Sequence, residues 1–131
     1  MRQLGPAQVV GAFGGIRVAI GTAFALAPTR LDRRGAGSPG TLMTQSFAAR
    51  EVVLGLGGLL AVVGTNANPS AVRTWAGLGT LTDAGDLAAA MGGVRRGEPS
   101  ARMSALIAAT GLALELWAFR SASRQARPLS A

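Results

Sequence analysis

Residues 45–64, QSFAAREVVLGLGGLLAVVG, form an apolar run in which Arg50 and Glu51 stand side by side. An Asp or Arg at the centre of a membrane-crossing helix costs about 2.5–3.5 kcal/mol on translocon scales. A segment carrying two charges must therefore turn them toward partners on other segments or toward a wet cavity. The chain offers such partners on each of its other apolar stretches: Arg17 on the first, Asp83 and Asp86 on the third, Glu115 on the fourth. The pattern predicts an all-α, single-domain four-transmembrane-helix bundle over residues 1–131 whose inward faces share a charged cluster.

Composition supports this and narrows the chemistry. Of the 131 residues 49% are hydrophobic and only 15% charged, an unusual balance for a soluble domain. The chain has no Cys, His, Tyr or Lys, and all 13 basic residues are Arg. Without Cys there are no disulfides, thiolate nucleophiles or thiolate metal sites, and without His the commonest metal ligand and the usual general base are missing. No cofactor and no metal are expected. A net charge of +7 raises the question of nucleic acid. The arginines answer it, because they cluster between apolar stretches (Arg30, Arg33 and Arg34; Arg95, Arg96 and Arg102; Arg120, Arg124 and Arg127), as in membrane-flanking loops. The lipid bilayer is the expected partner and nucleic acid is not. The bacterial plasma membrane is the expected location.

Gly5-Pro6 opens the first helix, since Pro suits a first turn whose N–H needs no partner. Residues 7–27 carry one charge, Arg17, and about 20 apolar residues match a hydrocarbon core of about 30 Å. A signal peptide fits poorly, as Arg17 interrupts the apolar region and the run is too long. Gly11, Gly15, Ala19, Ala23 and Ala27 recur at i+4 and predict a close-packing face. A polar loop at 30–40 precedes a second helix near 41–63, and an uncharged turn at 64–69 precedes a third near 70–92, with Ser70 as its expected cap. This third stretch is the most polar, and Asp83 and Asp86 share one face of it. The fourth helix is expected near 100–119, capped by Ser100, with a small-residue stripe at Ala101, Ala105, Ala109 and Ala113, and with Trp117 and Phe119 at the interface. That end point puts Glu115 close to interfacial water. Arginine counts on the two sides are nearly tied, so orientation is not readable. Gly85 within residues 76–88 also allows a helix-turn-helix turn, an assignment that the neighbouring apolar spans oppose.

Arg17 and Arg50 face four carboxylates, Glu51, Asp83, Asp86 and Glu115, which leaves two negative charges in excess. Three readings follow. In the first, the leading one, Arg17, Arg50, Glu51, Asp83 and Asp86 line a site that binds or helps to move a small amphiphilic or anionic ligand, with guanidinium groups on its oxygens, in a homo-oligomer or as a subunit. In the second, the charges are packing pairs that fix helix register in a structural or accessory subunit of a membrane complex. In the third, Asp83, Asp86 and Glu51 hold a divalent cation in a lipid-modifying enzyme. The third distantly resembles the Asp-rich motif of membrane phosphatidyl-alcohol transferases, but here the second Asp lacks the following Gly. The Phe13, Phe24 and Phe47 rings are expected to serve packing alone, and Arg73 to snorkel.

The segments FAAREVVLG at 47–55 and LTDAGD at 81–86, together with an Arg in the first span, resemble a family of small bacterial and fungal four-helix membrane proteins of unassigned function. The resemblance implies the same four-helix fold and supplies no activity. The chain is more loosely similar to small four-helix membrane proteins of quinone and thiol oxidation, whose thiol chemistry a chain without Cys cannot share.

Overall fold

The computed structural model describes residues 5–27, 39–63 and 68–125, with side chains at 39–42 left out. The loop expected at 30–40 falls largely outside these residues, as do most of the 64–69 turn, the first four residues and the tail beyond 125. Four helices follow in chain order: α1, Pro6–Leu26; α2, Pro39–Val62; α3, Pro69–Arg95; and α4, Ala101–Gln125. They form two antiparallel hairpins, α1–α2 and α3–α4, each tightly packed within itself and joined to the other by fewer contacts.

Small residues make the tight packing. A Cβ on Gly14 would lie 2.8 Å from the Gly55 carbonyl, one on Gly21 would lie 2.7 Å from the Ala48 carbonyl, and one on Gly55 would lie 2.5 Å from the Gly14 carbonyl. At these crossings one backbone rests directly on the other. The packing face of α1 is therefore Val10, Gly14, Arg17 and Gly21. The stripe expected from the sequence lies to one side of it, with Ala19 and Ala23 exposed. On α4 the buried face is Ala101, Ala108, Gly111, Glu115, Ala118 and Ala122, so only Ala101 of the expected stripe is buried. Gly11 of the first stripe does meet Val62 of α2, but the face turned inward on each helix is the one that carries its charged residue, with Gly14 and Gly21 beside Arg17 and Gly111 and Ala118 beside Glu115.

The helix ends also differ from expectation. Asn68, not Ser70, is the N-cap of α3, its side chain accepting from the Ser70 and Ala71 amides at 3.0 and 3.4 Å, with Pro69 in the first turn. Asn68→Ala is expected to cost about 1 kcal/mol, seen as faster hydrogen exchange in the first turn of α3. Gly85 lies within the continuous α3, which rules out the helix-turn-helix turn. The fourth helix extends six residues past the expected end, because nothing from Arg120 to Gln125 breaks it and Ala122 packs into the core.

The bundle is inverted relative to a soluble protein. Among the described residues the buried apolar ones are Val10, Val72 and a set of alanines, and no large side chain is fully buried. Leu26, Leu60, Leu81, Leu106 and Ile107 are instead exposed, an arrangement suited to hydrocarbon outside. Among the described residues three helices are long and apolar enough to cross a membrane: Pro6–Leu26, Met43–Val62 and Ala101–Gln125. The chain thus has the character of an integral membrane protein. With 27 residues α3 is long enough to span, but it falls outside this group by composition, and its carboxylates Asp83 and Asp86 are turned toward arginines of the other hairpin. Trp117 and Phe119 lie on the outer surface just before Arg120, as an interfacial belt requires.

Candidate functional site

One buried charged residue stands near the middle of each helix: Arg17 in α1, Glu51 in α2, Asp83 in α3 and Glu115 in α4. Each is at least nine-tenths buried. Near-central placement on four antiparallel helices brings them to one level, and Arg17 gathers the other three. Its Nη1 donates to Glu51 Oε2 at 2.6 Å, its Nη2 to Asp83 Oδ1 at 2.7 Å, and its Nε to Glu115 Oε1 at 3.2 Å. The Phe13 ring, one turn earlier on α1, lies 5.2 Å below the guanidinium carbon.

Glu51 extends the network. Its Oε1 accepts from Arg50 at 3.2–3.3 Å, so the carboxylate bridges the two arginines. Arg50 in turn grips Asp86 in a two-pronged pair of 2.8 and 2.7 Å, a geometry that planar guanidinium and carboxylate groups favour. This outer pair is half open, with the side chains of Arg50 and Asp86 35% and 36% exposed, against 6% for Arg17. Arg50 rests 4.9 Å above the Phe47 ring, which meets Phe24 edge-on at 5.3 Å. Phe13 and Phe47 are therefore platforms for the two cations as well as packing residues.

Glycines make room for the inner acids. A Cβ on Gly79 would collide with the Glu115 carboxylate, and one on Gly111 with Asp83. The relation is reciprocal: each acid of the α3–α4 hairpin lies against a glycine one turn ahead of the other acid. Gly79 precedes Asp83 by four residues, Gly111 precedes Glu115 by four, and Gly55 follows Glu51 by four. Beside Arg17 and Glu115 lies a cavity of about 10 Å³, lined also by Gly14, Gly58, Gly79 and Trp75. That volume suits a single water molecule.

All five residues expected at the site, Arg17, Arg50, Glu51, Asp83 and Asp86, join one network, and its centre is Arg17, not the Arg50–Glu51 pair that dominates the sequence. Glu115 is the residue that sequence reasoning misplaced. An α4 ending at Phe119 would have put it near interfacial water, whereas the helix continues to Gln125 and holds it deep in the bundle. The Gly-x-x-x-acid spacing that Gly111 and Glu115 share with Gly79 and Asp83 is the signal that could have found it.

The carboxylates are spread among the two guanidinium groups, and among the described residues no set of three His, Cys, Asp or Glu side chains is placed to hold a metal ion. That arrangement runs against the divalent-cation reading of Glu51, Asp83 and Asp86. No protein-family model matches the chain, and no curated protein or solved structure shows a significant similarity to it. Its chemistry has to be read from its own geometry.

That geometry sorts the charges by hairpin. Within the network, α1–α2 contributes Arg17, Arg50 and Glu51, a net positive charge, while α3–α4 contributes only acidic side chains, Asp83, Asp86 and Glu115. The hairpins meet through this complementary charge and through a small apolar cluster of Val10, Ala61, Val72, Ala76, Ala118 and Ala122. In a bilayer, where the hydrophobic effect gives helices no reason to associate, such pairing selects the partner and the register.

Proposed function

We propose that this protein is a small non-catalytic membrane subunit, a scaffold or accessory component whose charged centre clasps two helical hairpins together. The observation that carries the reading is the saturation of Arg17: its Nε, Nη1 and Nη2 are each spent on a carboxylate from a different helix, and the adjoining cavity has room for one water. A cation used in this way is held by the fold, not offered to a substrate. The exposed apolar surface of the bundle then meets lipid, a second copy, or the helices of a larger membrane complex.

A second reading has its own support in the half-open Arg50–Asp86 pair. An anionic amphiphile entering there would exchange its carboxylate or phosphate for Asp86 on Arg50, above the Phe47 ring. Thermal unfolding in detergent with a panel of anionic lipids, fatty acids and quinones separates the two. Under the scaffold reading no compound raises the Tm of the wild type beyond a general detergent effect. Arg50→Gln is expected to lose about 1 kcal/mol, the scale of a partly exposed ion pair, and to remain folded. A compound that stabilises the wild type and not Arg50→Gln would replace the scaffold reading with the ligand-binding one.

A further inference from the structure

The clasp contains two carboxylate oxygens that nothing answers. Asp83 Oδ2 and Glu115 Oε2 are buried and have no hydrogen-bond partner among the described residues, while the other oxygen of each acid accepts from Arg17. The network also carries two more carboxylates than guanidinium groups, and these are the two carboxylates with an orphaned oxygen. We propose that Asp83 and Glu115 form a proton-binding site, each holding one exchangeable proton on the oxygen turned away from Arg17.

The remaining groups around the site fit this assignment. Arg17 faces both acids from α1 and Glu51 faces Arg17 from α2; Arg50 and Asp86 complete the network at its open edge. Glu51 has both oxygens on guanidinium groups and both Asp86 oxygens accept from Arg50, so these two carboxylates pair off the two cations. With protons on Asp83 and Glu115 the whole network is neutral. An ionised carboxylate buried without a partner costs far more than a neutral hydroxyl in the same place. Gly79 and Gly111 contribute by giving each carboxyl group a contact free of side-chain bulk. A water in the cavity beside Glu115, which has the volume for one, would accept from its hydroxyl and offer a first step toward exchange. Each proton comes from a hydronium ion, forms an O–H bond with a carboxylate lone pair and leaves a water molecule, with no redox partner.

Infrared spectroscopy of the full chain in lipid nanodiscs tests the site without any ligand. At neutral pH the wild type is expected to show two carboxylic-acid C=O bands that shift in D₂O. Asp83→Asn is expected to remove one and Glu115→Gln the other, with Asp86→Asn removing neither. Because the amides mimic the neutral acids, both variants are expected to fold with less than a twofold loss in yield. Absence of such bands in the wild type, or their survival in both variants, would overturn the proposal. So would wild-type stabilisation by sodium that Glu115→Gln abolishes, since the excess charge would then be met by a metal cation.

Discussion

Replacing Arg17 with Gln is expected to destabilise the bundle by about 3–5 kcal/mol, the loss seen when one partner is taken from a buried charge network. Most of a small domain's stability is of this size, so the variant is expected to accumulate poorly and to unfold early in a dodecyl sulfate titration. Arg17 answers one carboxylate from every other helix. Its removal exposes Glu51 to the bundle interior with only Arg50 at 3.2 Å to balance it, and it cuts the α1 contacts to Asp83 and Glu115 that cross between hairpins. Lys at the same position would keep the charge but not the planar fork that reaches three separate acceptors. Arg17→Lys is thus expected to recover only part of the loss. A variant with wild-type stability would show that the three carboxylates do not depend on this side chain.

The second large effect belongs to a residue without a side chain. Gly55→Ala places a methyl group 2.5 Å from the Gly14 carbonyl oxygen and 2.8 Å from the Val18 amide nitrogen, both of them backbone atoms that cannot rotate away. The α1 and α2 backbones must separate, at a cost of about 1–3 kcal/mol or more for an overfilled contact. The separation also lengthens the Arg17–Glu51 bond, now 2.6 Å. Gly15→Ala is the matched control on the neighbouring helix, since a Cβ there meets nothing within 4 Å. Removing a helix glycine at an open position gains up to about 1 kcal/mol of helix propensity. Opposite signs for the two variants in the same unfolding titration would establish that close backbone approach, rather than glycine content, holds the first hairpin together. Equal behaviour would place the α1–α2 contact elsewhere.

Much of this architecture was readable in the residues. Long apolar runs punctuated by Gly, Pro and Arg gave four helices, and the charges inside them marked residues that had to meet, although the depth of Glu115 was not readable. The excess of two carboxylates was a matter of counting. Rotation was not readable, because Gly and Ala occur on several faces of α1 and α4 and a stripe such as Gly11–Gly15–Ala19 competes with the true face through Gly14 and Gly21. The centre of the network was hidden for a related reason. Adjacent Arg50 and Glu51 point in different directions on a helix, about 100° apart, so one faces the half-open edge and the other the core. Asn68 displaced Ser70 as the cap because Pro69 occupies the first helical turn, which moves the capping position one residue before it. The reach of α4 past Phe119 depended on Ala122 finding a buried place, a tertiary contact that no local pattern reports.

Consumption of the Arg17 charge inside the protein is tested most directly by a double-mutant cycle of Arg17→Gln and Glu51→Gln, measured by reversible unfolding in mixed micelles. The two single variants are each expected to be destabilised, and the double variant to be less destabilised than their sum by about 2 kcal/mol, within the range of residues sharing one buried network. Additive losses would mean that Arg17 and Glu51 answer to different partners. The network would then be a pair of binding groups facing outward rather than the internal clasp of a four-helix bundle.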